Sequence, residues 1–79
     1  MAKAKFSPTY TRLRRLLVRS RIDAGLKQAD VALKLGKPQS YVSKVESGER
    51  RLDVAEFVDL ARAIGIDPVR TLRAALVKA

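Results

Sequence analysis

The chain contains no cysteine, no histidine and no tryptophan. Without cysteine there is no disulfide scaffold, and without either cysteine or histidine there is no thiolate or imidazole metal site. A Ser-His-Asp or Cys-His nucleophile and a histidine general base are excluded on the same ground. The lack of cysteine also fits a cytoplasmic protein. No apolar run approaches the roughly 18 residues needed to span a bilayer, and no uninterrupted apolar segment marks a signal peptide. The carboxylates Asp53, Glu56 and Asp59 fall on one short predicted helix. An oxygen-only metal site needs carboxylates that converge from several directions, so these read as a helix cap and a solvated face. The sequence therefore points to no cofactor, no metal, no catalytic group and no membrane partner.

What is present is a small basic domain of 79 residues and 8.8 kDa. Apolar residues make up 47%, enough for a core, so the charge excess does not mean disorder. Seventeen Lys and Arg against eight Asp and Glu give a formal charge of +9, and nucleic acid is the leading partner for such a charge. The excess is polarised. Residues 1–22 carry seven cations and no acid, whereas residues 52–67 carry a net −3. That asymmetry suggests one face for an anion and another left neutral or acidic.

Proline and glycine are few but placed with meaning. Gly25, Gly36, Gly48 and Gly65 fall where helices should end, and Pro8, Pro38 and Pro68 where helices should begin. They divide the chain into five short helices with no period-2 strand pattern. The first is expected from Pro8 to Ala24, capped by Ser7, with Leu13, Leu17, Ser20 and Ala24 on its core face, Leu16 broadening it, and the arginines mainly opposite. The second spans Gln28–Leu35 and buries Val31, Ala32 and Leu35, with Lys27 as a poor cap. The third runs from Pro38 or Gln39 to Ser47, with Val42 and Val45 inward and Pro38 at its first helical position. The fourth opens with Asp53 and Glu56 at capping-box spacing and buries Val54, Phe57, Val58, Ala61 and Ile64. The fifth starts at Asp67-Pro68 and carries Val69, Leu72, Leu76 and Val77. Residues 1–7 read as a mobile basic arm and residues 8–79 as the domain. The expected class is all-α, a compact five-helix bundle.

The informative stretch runs from Leu26 to Gly48. Two short helices meet at Gly36, and a turn that tight sets them at a steep angle. With Val42 and Val45 inward, Gln39, Ser40, Ser43 and Lys44 form one acid-free stripe on the third helix. Such a stripe can reach base edges when its helix lies in a DNA major groove.

These residues resemble the helix-turn-helix of the lambdoid phage repressor/Cro family, also called the XRE family. The matching positions are Arg21, Gly25, Leu26, Gln28, Ala32, Gly36, Ser43, Glu46 and Gly48, followed by Leu60, Ala61, Ile64, Gly65 and Asp67-Pro68. The likeness covers about residues 10–70. It implies a lambda-repressor-like domain of five helices, with the second and third forming the helix-turn-helix. It also implies a transcriptional regulator that binds double-stranded, two-fold symmetric DNA as a homodimer.

By the resemblance, the third helix is the recognition helix, with Gln39, Ser40, Ser43 and Lys44 as base readers. Gln28 resembles the residue that clamps a backbone phosphate, and Lys27, Lys37, Tyr41, Arg50 and Arg51 are further phosphate candidates. Arg21 and Glu46 resemble the ion pair that ties the first helix to the end of the third. The chain departs from the family at Pro38, where Ser or Thr is common, and at Ser20, where a large apolar residue is common. The fifth helix has more apolar residues than one small core needs, so Ile66, Val69, Leu72 and Leu76 are expected in a dimer contact. The alternative is an antitoxin or other module with a protein partner, whose helix-turn-helix also binds its own operator.

Overall fold

Each helix of the chain begins and ends for a local reason, and the computed structural model, which describes residues 7–77, shows five: α1 (Pro8–Asp23), α2 (Gln28–Leu35), α3 (Gln39–Ser47), α4 (Val54–Ile64) and α5 (Pro68–Leu76). Among the described residues there is no strand. The N-terminal arm expected at residues 1–7 lies, apart from Ser7, outside them.

Three N-termini are capped by side chains. Ser7 Oγ accepts the Tyr10 N–H at 3.1 Å, and Asp67 Oδ1 accepts those of Val69 and Arg70. Asp53 and Glu56 complete a reciprocal box, Glu56 N–H to Asp53 Oδ1 at 2.7 Å and Asp53 N–H to Glu56 Oε1 at 3.0 Å. The two helices of the helix-turn-helix lack such a cap. Lys27 precedes α2 and makes no capping bond with its side chain; only its N–H is satisfied, by Asp30 Oδ2 at 2.8 Å. Pro38 takes the cap position of α3 rather than its first helical position, with an extended backbone at ψ 154°. A proline has no side-chain oxygen with which to cap.

Between α2 and α3 the chain reverses at Gly36, whose φ of +67° lies in the left-handed region. The Lys37 N–H then closes on the Ala32 carbonyl at 3.0 Å, the six-to-one bond of a Schellman ending. Only Gly36 and Lys37 separate Leu35, the last residue of α2, from the extended Pro38 that precedes α3, and the two helices pack against each other.

The core consists of Leu13 and Leu17 of α1, Val31 and Ala32 of α2, Val42 and Val45 of α3, Phe57, Leu60, Ala61 and Ile64 of α4, and Ala75 of α5. Val31, Val42 and Val45 are fully buried, and each contributes on the order of 1.5–3 kcal/mol by leaving water. α5 closes the bundle against α1 and α4.

Several burial expectations need correction. Val54 is 81% exposed, because it opens α4 at the rim beyond the reach of the core, and Leu60 takes its place inside. Ala24 is exposed because α1 stops at Asp23. Leu35 is only half-buried. The buried residue of α5 is Ala75, whereas Val69, Leu72, Leu76 and Val77 are all exposed. The arginines of α1 do not all point away. Arg12 donates to the Ala75 carbonyl at 2.8 Å and Arg14 to the Glu46 carbonyl at 2.7 Å, their aliphatic stems lying along the bundle while the heads reach helix ends.

Candidate nucleic-acid interface

The face of α3 opposite Val42 and Val45 is open. Gln39, Ser40, Ser43 and Lys44 are all exposed on it, while the two valines beneath are at most 1% exposed. Burial of one apolar stripe therefore aims the polar stripe outward as a unit. None of the four exposed residues is an acid.

Beside this stripe stands the N-terminus of α2. The N–H groups of Gln28 and Ala29 have no acceptor among the described residues, because Lys27 offers them none. The same holds for the N–H groups of Gln39 and Ser40 behind Pro38. Uncapped first turns carry partial positive charge and free donors, the combination that suits a phosphate.

Behind this surface the Glu46 carboxylate is paired from within, while Asp30 is exposed in the first turn of α2. Arg21 grips Glu46 in a two-point pair, Nε to Oε2 at 2.6 Å and Nη2 to Oε1 at 3.0 Å, with both side chains 13% exposed. Arg21 also donates to the Leu26 carbonyl at 2.8 Å, which ties in the loop before α2. Gln28 Nε2 donates to Glu46 Oε1 at 2.9 Å, and Gln39 Nε2 lies 3.5 Å from Gln28 Oε1. Glu46 thus joins α1, α2 and α3 at one carboxylate. The chain of contacts ends on Gln39, the first residue of the polar stripe.

A second group lies at the loop after α3. Arg50 makes a two-point pair with Glu56, at 2.9 and 3.1 Å, and its guanidinium lies 4.7 Å from the centre of the Tyr41 ring. The Lys37 ammonium lies 5.2 Å from the same ring. The Arg50 guanidinium, and secondarily the Asp53 N–H, hold the Glu56 carboxyl down at about 2. Burial, followed by the nearby Glu56 charge, raises the Tyr41 phenol above its ordinary value, so it stays protonated. Arg51 stacks on Tyr10 at 5.1 Å, and the Tyr10 hydroxyl accepts the Leu52 N–H at 3.2 Å.

Residues 17–70 match the helix-turn-helix family model. The chain belongs to the XRE-type helix-turn-helix family. A solved XRE-family like protein from Pseudomonas syringae pv. tomato str. DC3000 is 49% identical, with a TM-score of 0.83 over 85% of this chain and 82% of that one. No curated protein matches the chain. Membership of the XRE family places the chain among DNA-binding transcription regulators. No helix of the described residues is long and apolar enough to cross a membrane.

Against that family frame, the structure gathers Gln39, Ser40, Ser43, Lys44, Lys27, Gln28 and Lys37 around α3 and the start of α2. It occupies Arg50 internally. It gives Gln28 a second partner, Glu46, that spacing along the chain does not indicate. Arg14, which holds the C-terminal carbonyl of α3 at Glu46, and Tyr10, which fastens the loop at Leu52, are functional supports that the sequence reading missed. Tyr10 had a signal: with Leu13 and Leu17 it continues the inward spacing of α1. Arg14 had none, because an arginine at the edge of an apolar stripe reads as solvated.

Proposed function

We propose that this XRE-family protein is a sequence-specific regulator that binds two-fold symmetric operator DNA as a homodimer, with α3 in the major groove. The observation that carries the reading is the exposed acid-free stripe on α3, set beside uncapped helix starts. In this arrangement Gln39 offers the two-point amide edge that suits adenine, and Lys44, one turn on, suits guanine O6 or N7. Ser40 and Ser43 supply shorter contacts to base edges or thymine methyls. Lys27, the N–H groups at Gln28, Lys37, the Tyr41 hydroxyl and Arg51 contact phosphate and fix the register of α3 without reading sequence. Val69, Leu72 and Leu76, at spacing that puts them on one side of α5, are 60%, 42% and 60% exposed, and they form the contact between the two copies. Ile66 packs against the core beside them.

Selection of bound sequences from random duplex DNA tests this directly. The expected result is an inverted repeat whose half-sites are about one helical turn, roughly 34 Å, apart. Binding without sequence enrichment, or enrichment of a single asymmetric site, contradicts it.

A further inference from the structure

Basic residues in the loop after a recognition helix read naturally as phosphate ligands, and Arg50 and Arg51 are adjacent there. The structure treats them differently. Arg50 spends both terminal nitrogens on Glu56, at 2.9 and 3.1 Å, and Nη1 donates also to the Arg51 carbonyl at 2.9 Å. Its guanidinium carbon lies over the Tyr41 ring, 4.7 Å from the ring centre. Tyr41 belongs to the first turn of α3, and Glu56 to the first turn of α4. Arg50 therefore joins the start of the recognition helix to the start of α4, through the planar two-point geometry that an arginine provides and a lysine does not.

The charge at this spot is already balanced. A phosphate arriving at Arg50 would meet a guanidinium whose two terminal nitrogens already donate to a carboxylate, and would bring a second anion up to Glu56. Lys37, by contrast, makes no ion pair at salt-bridge distance among the described residues; its ammonium lies over the Tyr41 ring and feels the Glu56 charge only through space.

We infer that Arg50 is a positioning residue for DNA binding: clamped between Glu56 and Tyr41, it sets the start of α3 and does not neutralise a phosphate. This rests on the DNA-binding reading above and assigns a role within it. The consequence is a separation of two quantities that a phosphate ligand changes together. Loss of Arg50 lowers affinity by letting Tyr41 and the first turn of α3 shift, yet leaves unchanged the number of counterions that binding releases.

The experiment compares the full chain with Arg50→Gln, Arg50→Lys and Lys37→Gln, on the selected operator, from low to physiological salt. Circular dichroism melts place the temperature where every variant is folded. The expected result for Arg50→Gln is binding weaker by about three- to tenfold, with the slope of log affinity against log salt unchanged. Arg50→Lys keeps the charge but not the planar clamp and shows the same loss. Lys37→Gln shows a slope smaller by about 0.9.

A slope reduced by about 0.9 in Arg50→Gln, restored in Arg50→Lys, makes Arg50 a phosphate ligand and overturns the inference. Unchanged affinity in a variant that only melts lower makes it a stability residue and overturns it as well. A wild-type chain without salt-dependent duplex binding refutes the function reading itself, an outcome visible before any variant is compared.

Discussion

At the scale of single residues, two carboxylates organise this molecule by opposite means. Glu46 is sheltered and serves three helices, receiving Arg21 and Gln28 on its side chain while its carbonyl receives Arg14. Removing it strands a sheltered guanidinium, which is why one-sided loss of such a pair costs more than the pair contributes. Glu56 is at the rim, and its effect is legible in pH. Its carboxyl sits at about 2 in the fold, below its ordinary 4.5, because Arg50 favours the ionised form. A depressed acid contributes stability that is fully present above the unfolded value and is lost as pH falls through the folded value. Wild type should therefore melt above Glu56→Gln from neutral pH down to about 4.5, with the gap closing as pH approaches about 2. Melting curves across that window check it; a gap that stays constant to pH 2 would mean the carboxylate charge is not what stabilises.

At the scale of elements, the turn between α2 and α3 carries the function. Gly36 holds a φ of +67°, and a Cβ built there meets no atom within 4 Å. The penalty for a side chain is thus conformational and not a clash. Gly36→Ala is expected to cost about 1–2 kcal/mol, read from chemical denaturation, with the fold retained. A loss well above that range would point to a steric conflict that the geometry does not contain. The helix starts on either side of this turn are built differently from the other three. α1, α4 and α5 each give one or two first-turn N–H groups to a side-chain cap, a feature missing from α2 and α3. Lys27 and Pro38 are poor caps by propensity and carry a local stability cost.

At the scale of the whole molecule, exposed apolar side chains such as Leu33 and Val54 occur on several elements, but α5 carries three at helical spacing on one side. The helix-turn-helix presents hydrogen-bonding groups and cations, and α5 presents Val69, Leu72 and Leu76. Such a stripe on so small a domain is costly to leave in water. Sedimentation equilibrium of Leu76→Asp is expected to give a monomer where wild type gives a dimer, with affinity for a full operator falling far more than affinity for one half-site. A variant and a wild type of equal mass in solution would remove α5 from the interface.

The sequence by itself determined the helices and their order, because that information is local. Ser7, Asp53 and Asp67 as caps, glycines at helix ends and apolar periodicity each act within a few residues. It also placed the exposed polar stripe of α3, since burying Val42 and Val45 dictates where Gln39, Ser40, Ser43 and Lys44 point. Only the tertiary structure decided which polar groups are spoken for. The partners of Arg12, Arg14 and Gln28 lie 63, 32 and 18 residues away. Even Arg50 and Glu56, six residues apart, meet only because the loop turns back over Tyr41. A cation looks the same in a sequence whether it is free for a phosphate or held by a carboxylate. The difference is a matter of distance in space, and that is fixed by how the helices pack.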